Sequence, residues 1–296
     1  MSEAVYGYPP HRLAAAAGPQ LSPLTPGSQA IEALPPESLS QLTVLAPPGV
    51  QERRYVLAAA LRALAPGGTL TALAPKTAGG ARLKAELEAF GCAVQECFKA
   101  HHRICVAARP DQPEGVDEAL AAGGPRQLPD GLWSQPGVFS WDRLDPGTAL
   151  LLKTLPPLSG KGADLGSGLG ILAPALLVSP KVTALTLIDI DRRAVEAARR
   201  NVTDPRAQIL WADVRSVPLA DLDFVVMNPP FHEAGKADAS LGAAFIDKAS
   251  AALRKGGTCW LVANRQLPYE KVLAPRFAAV TLKAQTGLYK VYEARR

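Results

Sequence analysis

Apolar runs alternate with amphipathic segments along most of the chain, and this alternation predicts an α/β fold. Short apolar runs that end in turn residues predict strands, whereas apolar positions at helical spacing predict helices. In the first half, the pattern predicts strands over residues 41–46, 67–75 and 102–109, with helices over residues 53–64 and 81–90. The first 40 residues are rich in proline, alanine and glycine and show little periodicity, so we expect them to be irregular.

Residues 110–137 interrupt the alternation and predict a linker between two domains. Ten proline and glycine residues lie in this segment, which leaves space for one short helix over residues 116–122. A chain of 296 residues is long for one domain and comfortable for two. We therefore predict a first domain over residues 1–125 and a second domain over residues 126–296.

The second half repeats the alternation with more strands. Its predicted helices cover residues 148–154, 171–178, 192–201 and 241–253. Its predicted strands cover residues 162–170, where the strand runs into a glycine-rich loop, and residues 184–191, 207–214, 223–230, 256–264, 279–283 and 288–294. This series predicts an α/β layer fold with seven strands.

Two segments of the first half are echoed in the second. AAALRALAPGGTLTALAPK (58–76) is similar to ASAALRKGGTCWLVANRQ (249–266), and CFKAHHRICVAARP (97–110) is similar to LKAQTGLYKVYEAR (282–295). The echo favours a duplicated α/β domain, although any two α/β units share some pattern. We expect VLAPPGVQE in the first copy to stand where the second has ADLGSGLGI, which would leave the first copy without a ligand site.

Three alternate glycines follow the opening strand of the second domain. Gly166, Gly168 and Gly170 lie between a strand and a helix, where the backbone can turn tightly and approach a ligand. A frame from Gly168 to Ala173 also fits the dinucleotide pattern G-x-G-x-x-A, so a nicotinamide cofactor is one alternative. An acid two residues before the first glycine, here Asp164, is the pattern of an S-adenosylmethionine site, since a carboxylate suits a cation better than a diphosphate.

Carboxylates also follow the next two predicted strands of this domain. Asp189 ends one strand and can accept hydrogen bonds from both hydroxyls of a ribose, and Asp213 is placed to accept from the amine of an adenine. Asp191 is a weaker candidate, because it stands where the next helix needs an N-cap. Any one acid can be a cap or a solvated loop residue, but three at successive strand ends favour a nucleoside site.

The stretch VVMNPPFHE (225–233) ends an apolar run with an amide and two prolines. An exocyclic amine is a poor nucleophile because its lone pair is delocalised, and two acceptors that bind its N–H groups can free that lone pair. The side-chain oxygen of Asn228 can be one acceptor, and the carbonyl of Pro229 the other. Pro229 and Pro230 have no N–H, so no strand partner competes for this geometry.

The two residues that follow the prolines extend this hypothesis. Phe231 offers an aromatic face on which a nucleobase can stack. His232 can accept the proton that the methylated amine releases, or it can orient the base, or it has a structural role only.

Together, ADLGSGLG, LIDID, ADV and NPPFH resemble the class I S-adenosylmethionine-dependent methyltransferases that modify exocyclic amines. More narrowly, PGVFSWDRLDPGTALLL (136–152) and VANRQLPYEKVLAPRF (262–277) resemble the bacterial small-subunit ribosomal RNA guanine-N2 methyltransferases and their large-subunit relatives. The resemblance implies two tandem Rossmann-like methyltransferase domains, the first a degenerate copy and the second with a seven-stranded, mostly parallel sheet. It also implies S-adenosylmethionine as cofactor and ribosomal RNA, or a ribosomal subunit, as partner.

The N-P-P-aromatic motif by itself covers several kinds of acceptor. Adenine, cytosine, guanine and the side-chain amide of glutamine all occur among the substrates of such enzymes, so a protein-glutamine methyltransferase remains an alternative. A second alternative is a non-catalytic RNA-binding or assembly factor on a methyltransferase scaffold. The three glycines and Asn228 favour an active enzyme over that scaffold.

Charge and hydropathy change this picture little. The net charge of +5 and nine Lys/Arg against two acids from Ala251 onward agree with an acidic partner such as RNA. No run of 18 apolar residues occurs, so we expect no membrane contact. The first residues lack a basic segment followed by an apolar one, which favours a cytoplasmic protein. The sequence leaves the oligomeric state open, with a monomer among the possibilities.

The cysteines do not predict a metal site. Cys92, Cys97 and Cys105 lie near His101 and His102, but no C-x-x-C pair is present, and the spacing fits no disulfide framework. Cys92 and Cys105 stand among apolar residues, so we expect thiols of the core.

Overall fold

The computed structural model describes residues 2–15, 17–230, 232–233, 236–237 and 239–296, without the side chains of residues 232, 233, 236, 237 and 239. The chain forms two compact units, Met1–Arg126 with Gln135–Gly137 and Gln127–Ser134 with Val138–Arg296. Each unit has its own sheet. None of the helices in the described ranges has the length and apolar character that a membrane span requires.

The first unit is built on a five-stranded sheet with strand order β1-β2-β3-β5-β4. Its strands are β1 (Glu3–Tyr6), β2 (Leu39–Leu45), β3 (Leu64–Pro75), β4 (Val94–Lys99) and β5 (His102–Ala108). Its helices are α1 (Val50–Ala63), α2 (Ala81–Glu88) and α3 (Val116–Gly123). β1, β2 and β3 are parallel, and β5 is antiparallel to β3.

The prediction that the first 40 residues are irregular was wrong for β1. Its residues pair in parallel with Gln41–Val44 of β2. The free edge of β1 is covered by the following segment, since Val5 N donates to Pro19 O at 3.0 Å and Leu21 N donates to Val5 O at 2.8 Å. A four-residue strand is too short to show a period, and only its distant partner makes it a strand.

A buried ion pair holds α1 and α2 of the first unit together. Arg53 is 1% exposed and donates to both carboxylate oxygens of Glu86, at 2.6 and 2.7 Å. The same guanidinium donates to Pro47 O at 3.1 Å and to Pro48 O at 2.7 Å. A buried charge is tolerated when its donors are satisfied in this way.

The second unit is built on a seven-stranded sheet with order β10-β9-β8-β11-β14-β16-β15, in which β16 runs antiparallel to both of its neighbours. A short pair, β6 (Arg126–Gln127) and β7 (Trp133–Ser134), precedes it. The remaining elements, in chain order, are α4 (Pro146–Thr154), β8 (Gly160–Leu165), α5 (Leu172–Leu177), β9 (Val182–Asp189), α6 (Arg192–Asn201), β10 (Ala207–Trp211), β11 (Leu222–Met227), β12 (His232–Glu233), β13 (Lys236–Ala237), α7 (Ala239–Ala252), β14 (Leu253–Asn264), α8 (Tyr269–Leu273), β15 (Ala279–Gln285) and β16 (Tyr289–Arg295). The predicted seven-stranded, mostly parallel sheet is confirmed.

Strand β11 lies at the centre of this sheet and is buried on both faces. Phe224 and Val226 face one hydrophobic cluster, and Val225 and Met227 face another. A central parallel strand is therefore apolar at successive positions rather than at alternate ones. The predicted strand over residues 223–230 extended too far, because β11 ends at Met227, directly before the asparagine and the two prolines.

The two sheets share strand order and register. Strands β1-β2-β3-β5-β4 correspond to β8-β11-β14-β16-β15. In both sheets the register shifts at the same place, from Leu39↔Leu64 to Gln41↔Thr69 in the first unit and from Leu222↔Leu253 to Phe224↔Thr258 in the second. This agreement supports the predicted duplication.

The correspondence between the strands of the two sheets shows that one alignment expected from the sequence was wrong. Because β2 corresponds to β11 and the register places Val44 at Met227, the segment VLAPPGVQE corresponds to the segment that begins at Met227 and not to ADLGSGLGI. The counterpart of β8 is β1, and the register places Val5 where β8 has Asp164, since Val5 pairs with Thr43 and Asp164 pairs with Val226. The expected alignment was wrong because β1 is too short to show a period, so the hydrophobic pattern makes β2 the opening strand.

We expect Glu86→Ala to lower the free energy of unfolding by about 3–5 kcal/mol, because it leaves the Arg53 guanidinium buried without its counter-ion. Urea denaturation followed by circular dichroism measures this change. The control is Glu88→Ala, which removes an exposed pair with Lys84 on the same helix (3.8 Å) and should change stability by less than about 0.5 kcal/mol. Equal effects of the two substitutions would contradict this account.

Candidate active site

The candidate site lies where the strand order of the second unit reverses. The chain passes from β8 outward to β9 and β10, and then returns to the other side of β8 to form β11 and β14. Open α/β sheets bind ligands at the carboxyl ends of the strands at such a point. A cavity of about 210 Å³ is found there, and its lining includes Asp164, Gly166, Gly168 and Asn228.

The predicted glycine loop follows β8 and is held to the end of β9. Gly166 N donates to Ile188 O at 2.9 Å, and Gly168 N donates to the Asp189 carboxylate at 2.7 Å. Gly170 has a φ of 78°, and a Cβ there would lie 2.8 Å from Val202 Cγ2. Glycine at position 170 therefore allows both the left-handed turn and close packing of the loop against the residue that follows α6.

Two buried carboxylates stand behind this loop. Asp164 is buried, and neither of its oxygens has a partner among the described residues. Burial, with the neighbouring Asp189 as second cause, raises the pKa of Asp164 to about 8. Burial also raises the pKa of Asp189 to about 6, although hydrogen bonds from the N–H groups of Asp191 and Gly168 act in the opposite direction.

The residues of the cavity fit S-adenosylmethionine. Within the described ranges, the buried side-chain oxygens of Asp164, Ser167 and Asn228 have no partner, and all three residues line the cavity. A carboxylate and two neutral acceptors suit a ligand that carries an ammonium group, a sulfonium group and N–H donors.

The other predicted acids have different surroundings. Asp191 caps α6, as expected, by accepting from Arg193 N at 3.0 Å. Asp213 follows β10, and its carboxylate accepts from the Arg215 guanidinium at 2.6–3.0 Å, which lowers its pKa. Asp189 touches the loop but does not line the cavity, and neither does Asp213. Their roles with ribose and adenine remain predictions.

Asn228 is held by two residues that sequence reasoning missed. Its amide nitrogen donates to Asp145 Oδ2 at 3.0 Å and to Thr148 Oγ1 at 2.9 Å. Asp145 is also the N-cap of α4, because the same Oδ2 accepts from Thr148 N at 2.7 Å. The signal was present, since an aspartate followed by proline is typical of a helix start, whereas the prediction began this helix at Thr148.

The rest of the predicted motif is only partly described. Pro229 is buried and Pro230 is half-buried. Phe231 lies outside the described residues, and His232 begins β12 but its side chain is outside the described part. Sequence reasoning also missed Phe139, which lines the cavity and is 65% exposed, and the neighbouring Arg143, which lines it as well.

The cysteines occupy two kinds of position. Cys92 and Cys105 are buried in the first unit, as predicted, whereas Cys97 on β4 is exposed. Among the described residues, no group of three or more His, Cys, Asp or Glu side chains is arranged to hold a metal ion.

We expect Asp164 to make the stability of the ligand-free protein fall as pH rises. The unfolded carboxyl loses its proton near pH 3.8, but the folded one retains it to about pH 8, so each pH unit between these values favours unfolding by up to about 1.4 kcal/mol. Asp164→Asn removes this slope. Urea denaturation of both proteins from pH 5 to pH 9 measures it, and identical slopes below pH 8 would contradict a raised pKa.

Curated proteins match about half of this chain. Ribosomal RNA small subunit methyltransferase C of Citrobacter koseri is 42% identical over 161 residues, which are 53% of this chain and 47% of that protein. The protein of the same name from Shewanella piezotolerans is 35% identical over 158 residues, which are 53% of this chain and 46% of that protein. The matched region spans about half the length of these curated relatives.

One solved structure matches the whole chain. It is the T. thermophilus 16S rRNA N2 G1207 methyltransferase (RsmC) in complex with AdoMet and guanosine, with a TM-score of 0.81 and 23% identity, over 100% of this chain and 88% of that chain. At this identity the likeness establishes a common fold. The model of the methyltransferase small domain matches residues 131–293, more than half of the chain, and the chain therefore belongs to the methyltransferase small domain family.

Proposed function

We propose that this protein transfers a methyl group from S-adenosylmethionine to the N2 amine of a guanine in ribosomal RNA. The observation that carries the proposal is that Asn228 lines the same cavity as Asp164, and that its buried side-chain oxygen has no partner within the described ranges. An acceptor for an N–H group and a carboxylate for a cation thus share one cavity. The names of the curated relatives favour small-subunit RNA as the substrate.

The glycine loop and the acids behind it would hold the cofactor. When bound, S-adenosylmethionine supplies a methyl group on a positively charged sulfur, which a nitrogen nucleophile can displace. The Asp164 carboxylate would bind the cationic amino-acid end, and residues 166–169 of the loop would lie against the ligand, with Gly170 allowing the turn behind them. Asp189 would accept from the ribose hydroxyls with its remaining lone pairs, since Oδ2 binds the loop through Gly168 N and Oδ1 binds Asp191 N.

Asn228 would prepare the amine of the acceptor. Its side-chain oxygen accepts one N–H of the base, and the Pro229 carbonyl accepts the other, which leaves the nitrogen lone pair directed at the methyl group. A nitrogen–carbon bond forms as the sulfur–carbon bond breaks, and the sulfur keeps the electron pair. The methylated nitrogen then releases a proton, for which His232 is the candidate acceptor. Positioning supplies most of the acceleration in such a step.

Features at the mouth of the cavity favour an RNA base. The exposed ring of Phe139 offers a stacking face, and Arg143, 75% exposed, can contact a phosphate. The base would leave its stack to enter the cavity, as bases do for enzymes that modify them. The partner would then be ribosomal RNA or a ribosomal subunit, and the place of action the cytoplasm.

We expect Asn228→Ala to lower the rate of methyl transfer to ribosomal subunits or RNA on the order of 100-fold or more, the usual scale for one preorganised hydrogen-bonding group. Tritium transfer from labelled S-adenosylmethionine measures the rate. Mass spectrometry of the nucleosides should identify N2-methylguanosine as the product.

Calorimetry provides the control for this experiment. Asn228→Ala should still bind S-adenosylmethionine, with a small loss of affinity for the one acceptor removed, because Asp164 and the loop are unchanged. Full activity of the variant would refute the proposed role of Asn228. Tritium in protein rather than in RNA would instead favour the glutamine methyltransferase, and absence of cofactor binding would favour a non-catalytic scaffold.

A further inference from the structure

The nitrogen and the oxygen of the Asn228 side-chain amide differ in their hydrogen bonds. The nitrogen carries two hydrogens, and both have acceptors, Asp145 Oδ2 at 3.0 Å and Thr148 Oγ1 at 2.9 Å. The oxygen has no partner among the residues that the structure describes. Since an amide is planar, binding its nitrogen on one side directs its oxygen to the other, and all three residues line the cavity.

The two acceptors are themselves fixed by the start of α4. Asp145 and Thr148 are both buried, and the backbone N–H of Thr148 donates to Asp145 Oδ2 at 2.7 Å. Gly147 lies between them against the ring of Tyr289, where a Cβ would be 2.9 Å from Cε1. The first turn of α4 therefore has little freedom to move, and the Asn228 amide is bound to a rigid support.

We infer that Asp145 and Thr148 are positioning residues that fix the orientation of the Asn228 amide. This inference rests on the proposed function. An amide that rotates by half a turn would present its N–H groups to an incoming amine, and two donors would then face each other. An ionised carboxylate can only accept, so Asp145 binds the nitrogen end and never the oxygen end. Its negative charge also draws the amide hydrogens and increases the electron density on the oxygen.

Thr148→Val and Thr148→Ser form a matched pair that tests this role. Both keep the backbone N–H that Asp145 caps, but only serine keeps the hydroxyl. We expect valine to lower kcat about fivefold, the factor that corresponds to one hydrogen bond of ordinary strength, and serine to recover the rate to within about twofold. KM for RNA and the affinity for S-adenosylmethionine should change little, because neither ligand binds through the nitrogen end of the amide.

Asp145→Ser separates the positioning role from the capping role. Serine is a good N-cap and keeps α4 capped, but it is shorter than aspartate and carries no charge. We expect kcat to fall between about 10-fold and 100-fold, the range for a hydrogen bond to a charged group, while the thermal unfolding midpoint changes little. A loss of kcat that follows a loss of stability would indicate a structural role and overturn the inference.

A double-mutant cycle shows whether both residues act through Asn228. In the Asn228→Ala background, Thr148→Val should cause no further loss of kcat, because the group that it positions is absent. An additional fivefold loss in that background would show that Thr148 acts by another route and would overturn the inference.

Nuclear magnetic resonance tests the amide contacts without any substrate. In the ¹⁵N-labelled protein, the Asn228 side-chain NH₂ signal, assigned by its loss in Asn228→Ala, should show two inequivalent hydrogens with slow solvent exchange. Thr148→Val should speed up that exchange. A rapidly exchanging amide in the unmodified protein would refute the inference, whatever the substrate. If the amide is protected and no methyl transfer to RNA occurs, the proposed function fails but the amide contacts remain.

Discussion

The end of the central strand β11 at Met227 is the constraint on which the site depends. β11 is buried on both faces and pairs with β8 on one side and β14 on the other, so the sheet fixes its position. The chain then leaves the sheet through two prolines, which have no N–H to donate, and Asn228 stands at the point of departure. Asp164 lies on β8 opposite Val226, so strand pairing alone brings the carboxylate and the amide to one cavity.

Most of the second unit could be predicted from the sequence, because each of its strands is an apolar run followed by turn residues. The seven strands, the glycine loop and the Asp191 cap followed from that pattern. The ends of the strands were harder to predict, because hydrophobicity does not show that a proline lacks the N–H that strand pairing needs. The contact between Asn228 and Asp145 joins residues 83 positions apart, and no local pattern encodes it. β1 was missed for the same reason, since its partner strand lies beyond a long irregular segment.

In the first unit, the positions that correspond to the candidate site carry different residues and different hydrogen bonds. β1 and β8 correspond, and each is followed by a glycine with positive φ, Gly7 at 80° and Gly166 at 75°. Val5, however, stands at the position of Asp164, and the Gln20 amide binds both the N–H and the carbonyl of Gly7, at 2.9 and 2.7 Å. The backbone that a ligand would contact is thus satisfied internally. The first unit thus keeps the strand order of the second but has other residues where the second has the polar groups of the site. This difference supports the prediction that the first unit is a degenerate copy.

The buried acceptors without hydrogen-bond partners in the described part of the second unit influence which ligands the cavity can bind. A buried polar atom without a partner destabilises a fold by about 1–3 kcal/mol, yet within the described part of the chain Asp164 has two such oxygens, and Ser167 and Asn228 have one each. In Asn228 the nitrogen has two partners and the oxygen has none among the described residues, so the unmet hydrogen bond belongs to one atom of the amide and not to the residue as a whole. Burial raises the pKa of Asp164 to about 8, and a ligand with a positive charge would restore the ionised carboxylate, so the cavity favours ligands that bring positive charge and N–H donors. A sulfonium cofactor and an exocyclic amine bring both, so the instability of the ligand-free fold and the selectivity of the site have the same physical origin.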